Sequence, residues 1–155
     1  MQREFEAKLK KFMIDNKINA EYLSFEQSCH SVAEAALAAN ASEEDFVKNI
    51  CMVDNSGNLI VAIVNGEDRA STSQVAKVLG IERPRTATPE EILEKIGYPC
   101  GGVPSFGYSA IFLIDEKVMQ KPLVYSSGGS ENSLIKITPT ELLDANKGKV
   151  AKIRQ

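Results

Sequence analysis

The run 46-FVKNICMV-53, the turn 54-DNSGN-58 and the run 59-LIVAIV-64 leave this chain the least freedom. Two apolar, β-branched segments joined by a polar, glycine-containing turn read as a β-hairpin with a loop longer than two residues. The other elements have to be arranged around it. Upstream, Phe5, Leu9, Phe12 and Met13 recur at helical spacing and predict an amphipathic helix over residues 3–16. A short extended piece, 21-EYLSF-25, leads to a helical stretch over residues 31–39, and Ser42 with Asp45 suggests a one-turn helix start. Downstream, residues 71–79 return to the helical pattern, and Gly80 is a natural stop. The segments 88-TPEEILEKIG-97 and 138-TPTELLDA-145 share Thr at the N-cap, Pro in the first helical position and Glu two places later, the capping-box pattern. Between them lie three strand-like runs, 110-AIFLI-114, 123-LVYSS-127 and 133-SLIKI-137. Helices and strands do not alternate as a doubly wound sheet requires, so the expected class is α+β with a mixed sheet.

At 155 residues and 43% hydrophobic content, the chain suits one compact core, and a single domain over residues 1–155 is expected. No apolar run approaches the roughly eighteen residues that a membrane helix needs, and the start MQREFEAKLKK has no apolar signal region, which points to a cytoplasmic protein. Cys29, Cys51 and Cys100 are far apart, and His30 is the sole histidine; neither a disulfide framework nor a tetrahedral metal site is readable, and no cofactor is expected. A net charge of −3 argues against wrapping duplex DNA but leaves room for gripping the end of a single strand. Lys8, Lys10, Lys11 and Lys17, and separately Lys147, Lys149, Lys152 and Arg154, either meet a phosphate backbone or are a solvated helix face and a solubilising tail.

Chemistry has few places to sit. The loop 97-GYPCGGVPSFGYS-109 holds four glycines and two prolines with no carboxylate, histidine or lysine, so what it offers is backbone N–H and C=O. Cys29 and His30 are adjacent and point apart, which makes them poor nucleophile and base. Glu43, Glu44, Asp45, Glu90 and Glu91 stand in helix first turns, where the macrodipole explains them. Lys48 is different: it interrupts a mostly apolar strand, on the face of Phe46, Ile50 and Met52. It either snorkels at a sheet edge or presents its ammonium to a pocket.

The combination 46-FVKN-49, 64-VNGEDRASTSQVAKVLG-80, 97-GYPCGGVPSFG-107, 124-VYSSGG-129 and TPTELL resembles the YbaK and prolyl-tRNA synthetase editing-domain family, over nearly the whole chain and in the family's order. The resemblance implies a barrel-like, largely antiparallel mixed sheet flanked by helices. It also implies a free-standing deacylase that hydrolyses the ester between a wrong amino acid and the 3′-terminal adenosine of a tRNA, with an aminoacyl-tRNA synthetase as a further partner. By the same resemblance Lys48 falls on the family's essential lysine, and Gly101 and Gly102 open a loop, continued by Val103, Pro104 and Ser105, whose amides position the ester or the attacking water. Ser127, Gly128 and Gly129 match a second loop beside the pocket, while Tyr22, His30 and Asn49 fall at pocket-lining places. The chain departs from the family in carrying Ser105 where proline is usual and Leu134 where one branch has an acid. The edited amino acid is left among Cys, Ala and Ser. A binding module that has lost hydrolysis, and a small-molecule esterase, are the rival readings.

Overall fold

The computed structural model describes residues 2–29 and 31–155. The hairpin forms as expected. Strand β2 (Val47–Val53) pairs antiparallel with β3 (Leu59–Asn65), from Val47 opposite Asn65 to Val53 opposite Leu59. Asp54 organises the connecting loop: its carboxylate accepts the N–H groups of Ser56 (2.9 Å) and Asn58 (2.8 Å), which holds its pKa below the usual range, and Gly57 supplies the positive φ of +85°.

All seven residues of β3 are buried, because the strand is covered on both faces. Val61 and Ile63 point into the larger core with Val47, Cys51 and Val53, while Ile60, Ala62 and Val64 point into a second core with Met52, Val75, Leu113 and Ile153. The flanking helices follow from their caps. Helix α1 (Gln2–Asp15) lays Leu9 and Met13 against the larger core; α3 (Thr72–Leu79) covers the second and stops at Gly80, φ +65°. Helices α2 (Val32–Ala39), capped by Ser31, and α4 (Pro89–Ile96), capped by Thr88, both carry complete capping boxes. At α5 (Pro139–Asn146) only half of the box forms: Thr138 accepts from Glu141, but the Glu141 carboxylate instead accepts the N–H of Asn19 and pins the segment after α1. Ser42 starts a single 3₁₀ turn, Glu43–Asp45.

Two sheets result, a mixed one of five strands and an antiparallel one of three. One has the order β4 (Arg85–Thr86), β2, β3, β5 (Ile111–Asp115), β8 (Lys149–Ala151); the other has β1 (Glu21–Ser24), β7 (Ser133–Ile137), β6 (Val124–Ser127). Pairing is antiparallel except at β3–β5 and β5–β8. The sheets meet where Phe46 bridges to Tyr125, the rings stacked at 4.9 Å. The short strands β4 and β8 escape sequence pattern because they are only two and three residues long and mostly exposed. The strand β8 carries Lys149, from the C-terminal basic concentration, on the sheet edge opposite β4.

That edge is tied down by Asp115, at the end of β5. Its fully buried carboxylate accepts the N–H groups of Lys117 (3.1 Å), Ile153 (2.9 Å) and Arg154 (3.2 Å) and pairs with the Arg154 guanidinium at 2.9 Å. Replacing Asp115 with Ala orphans these donors and is expected to cost about 3 kcal/mol. In thermal unfolding that corresponds to a midpoint lowered by roughly 6–12 °C; an unchanged midpoint would refute the assignment.

Candidate functional site

Because β4 covers only Met52 and Val53, the first half of β2 has an open outer side. The strand β6 approaches it but pairs with β7 instead, and a cleft of about 220 Å³ remains between. Lys48 and Asn49 stand on its wall from β2, Gly101 and Val103 from the glycine-rich loop, Ser126 and Ser127 from β6. Val32, Ala35, Phe46, Tyr125 and Leu134 make the rest largely apolar, with Cys100 at the exposed rim. Lys48 is the only charged side chain among the described lining residues. It is half-buried, and its ammonium has no hydrogen bond or ion pair among the described residues. A cation in such surroundings is incompletely solvated and favours an incoming anion or carbonyl oxygen.

The loop is held by side chains that reach it from elsewhere. The Asn49 amide clasps it twice, donating from Nδ2 to the Val103 carbonyl at 2.8 Å and accepting at Oδ1 from the Ser105 hydroxyl at 2.7 Å. Ser105 Oγ lies 2.6 Å from Ser126 Oγ, and Asn49 Nδ2 is 3.3 Å from the same Ser126 oxygen. Tyr108 donates to the Pro104 carbonyl (2.6 Å) and Asn146, at the end of α5, to that of Ser105 (3.0 Å). Within the loop Gly102 donates its N–H to the Pro99 carbonyl at 2.9 Å, and Gly101 has φ +92°. The N–H groups of Gly101 and Val103 have no acceptor among the described residues.

The second loop is built against the first. Gly128 donates to Ser133 and accepts at its carbonyl from the Tyr22 hydroxyl at 2.5 Å; Gly129 has φ +96°. A Cβ on Gly102 would lie 2.8 Å from the Ser130 nitrogen and 2.9 Å from the Gly129 carbonyl carbon, so the loops touch backbone to backbone.

Of the residues singled out in the sequence, Lys48, Asn49, Gly101, Val103 and Ser127 line the cleft. Gly102, Pro104, Ser105, Gly128 and Gly129 are buried behind it, and Gly102's amide is already committed, so it is not a free donor for a ligand. Tyr22 lies apart from the cleft lining: it buttresses Gly128, its ring lies under the Lys10 ammonium at 4.8 Å, and burial raises its pKa. His30 lies outside the described residues. Ser105 is fully buried with its proton engaged, which leaves no serine nucleophile there. Burial pushes the Cys51 thiol up to about 12 and raises Cys29 as well, so neither supplies a thiolate. Among the described residues no group of three or more His, Cys, Asp or Glu could hold a metal, and no helix is long and apolar enough to cross a membrane. Sequence reasoning missed Ser126, which lay inside the quoted VYSSGG, and Asn146, for which the sequence carries no signal.

A family model described as aminoacyl-tRNA editing domain matches residues 26–145. The chain is 27% identical over 128 residues to the uncharacterized protein YwhH of Bacillus subtilis (strain 168), with 81% of each covered. Two solved structures superpose closely. Hypothetical protein APE2540 has TM-score 0.88 and 28% identity, with 96% of this chain and 99% of that one covered. A candidate trans-editing enzyme for prolyl tRNA synthetase has TM-score 0.89 and 27% identity, with 97% and 96% covered.

The contact between the loops is testable without a substrate. Gly102→Ala forces a Cβ against main-chain atoms that cannot rotate away, and should cost about 1–3 kcal/mol. It should lower the urea midpoint at unchanged m-value. Gly57→Ala, where nothing lies within 4 Å and only the φ of +85° is strained, should cost about 1 kcal/mol. If Gly102→Ala is the milder of the two, the loops are not in steric register as described.

Proposed function

Since the chain belongs to the aminoacyl-tRNA editing domain family, we propose that it is a trans-editing hydrolase that deacylates mischarged tRNA. The observation that carries this reading is the ammonium of Lys48, in the same cleft as the amides of Gly101 and Val103, all three without a partner among the described residues. An aminoacyl ester is already activated, so its hydrolysis needs a placed water and a stabilised oxyanion more than a strong nucleophile. Water adds to the acyl carbon, the bond from that carbon to the ribose oxygen breaks, and the proton ends on the ribose hydroxyl. The amino acid and the tRNA 3′ end are released.

In this scheme Lys48 holds the terminal phosphate or ribose and fixes the ester, the positioning contribution to catalysis. The amides of Gly101 and Val103 receive the developing negative charge. The amino-acid side chain lies against Val32, Phe46, Tyr125 and Leu134, walls that suit the small uncharged residues Cys, Ala and Ser. No carboxylate lines the cleft among the described residues, so it offers no partner for a basic side chain. The substrate is the acceptor end of aminoacyl-tRNA, such as mischarged tRNA-Pro, reached alone or beside a synthetase in the cytoplasm by one domain over residues 1–155. Editing of this kind is useful because a synthetic site rejects a smaller or isosteric amino acid by only ~10–200-fold.

Purified protein incubated with tRNAs charged with Cys, Ala or Ser should release free amino acid from at least one of them. Binding with no release would show a module that has lost hydrolysis. Lys48→Ala should reduce kcat/KM by more than 10-fold, which is about 1.4 kcal/mol of transition-state stabilisation. It should leave the melting temperature unchanged, because the Lys48 side chain has no hydrogen bond or ion pair among the described residues. Activity above a tenth of wild type would remove Lys48 from the mechanism. EDTA should leave turnover intact, and its loss, restored by zinc or magnesium, would require a metal step.

A further inference from the structure

Asn49 and Ser126 on the cleft wall and Ser105 behind it form a closed ring whose protons can be assigned. Ser105 donates its single proton to Asn49 Oδ1 at 2.7 Å. The Ser105–Ser126 contact of 2.6 Å then has only Ser126 left as donor, and the Ser126 oxygen in turn accepts from Asn49 Nδ2 at 3.3 Å. The other proton on Nδ2 goes to the Val103 carbonyl at 2.8 Å. Each member of the ring both donates and accepts, and Ser105 and Ser126 are 0% and 1% exposed. Bonds that chain in this way polarise and strengthen one another in a low-dielectric interior.

The ring joins three elements. Asn49 follows Lys48 on β2; Ser105 closes the glycine-rich loop; Ser126 precedes Ser127 on β6. Among the described residues neither β2 nor β6 pairs with the loop through main-chain bonds, and the main chains of β2 and β6 meet only at the Phe46–Tyr125 bridge, just before β2 begins. The geometry points to Ser126 as a positioning residue: through Ser105 and Asn49 it sets where the Gly101 and Val103 amides stand relative to the Lys48 ammonium. The hydroxyl itself performs no chemistry, since its proton is held by Ser105. This inference rests on the deacylase reading for its kinetic consequence, though not for its structural one.

Two measurements on the full chain test it. In steady-state deacylation, Ser126→Ala should lower kcat roughly 10–100-fold, the cost of reacting groups displaced by a fraction of an ångström, with KM within about 2-fold of wild type. Ser105→Ala should do the same, and the double variant should be no worse than either single, because each opens the same ring. Ser126→Thr, which keeps the hydroxyl, should recover most of the loss, and it serves as the active comparison should the alanine variant fold poorly. The second measurement needs no activity. Amide hydrogen exchange at Gly102, whose N–H is bonded inside the loop, should accelerate by about 10-fold or more in Ser126→Ala while Val61 and Ile63 in β3 are unmoved. Losses that multiply in the double variant, a kcat above half of wild type, or unchanged exchange at Gly102 would each overturn the proposal. A wild-type protein that releases no amino acid defeats the deacylase reading instead, and the exchange result still decides whether the ring holds the loop.

Discussion

Burial of β3 on both faces sets the position of nearly everything else. A strand with seven buried residues needs neighbours on both edges and cover on both sides, and the chain supplies β2 and β5 for the edges. One face is covered by α1, α4 and the glycine-rich loop, the other by α3 and the C-terminal segment. The strand β2 is thereby next to the edge of its sheet, and β4 is too short to complete its outer side. An incomplete edge is ordinarily a liability for aggregation. Here β6 and the glycine-rich loop stand over it, and the gap between them is the cleft. The site is thus the remainder of a sheet that stops pairing two residues along its outermost strand.

Much of this was legible in the sequence, and the reasons differ by element. The hairpin was readable because apolar runs and an Asx-stabilised turn are local signals, and the helices because Ser71, Thr88 and Thr138 cap within three residues of themselves. The small strands β4 and β8 were not readable, since they exist only by pairing with distant partners. The same division runs through the site. Lys48 announces itself by being charged among apolar neighbours, and the glycine-rich loop by its composition. Whether Lys48 reaches water or a pocket depends on where β6 lies, which no local pattern encodes. Tyr22 and Gly102 show the limit of placing residues by resemblance: one supports Gly128 and the other packs on Gly129 and Ser130.

The site is also unusual in its economy of ionisable groups. The described walls bring one ammonium and no carboxylate, and the buried thiols are held protonated by desolvation. On the proposed function, what acts beside the Lys48 ammonium is main chain, oriented by neutral hydroxyls and amides that do not titrate near neutral pH. Preorganisation of this kind needs rigid support, and the support is visible: the carbonyls of Val103, Pro104 and Ser105 are each held by a side chain, from Asn49, Tyr108 and Asn146 respectively.

The backbone-to-backbone seam between Gly102 and the 129–130 segment divides the molecule into parts with different freedom to change. Groups that act through main chain are indifferent to most side-chain replacements, yet at the seam they tolerate almost none. On the proposed function, selectivity lies instead with Val32, Phe46, Tyr125 and Leu134, the apolar residues of the cleft wall. Diversification of a scaffold like this one therefore runs along its walls. If the proposed function holds, a descendant can acquire taste for another amino acid by exchanging apolar wall residues one at a time, while the main-chain apparatus passes unaltered from one specialist to the next.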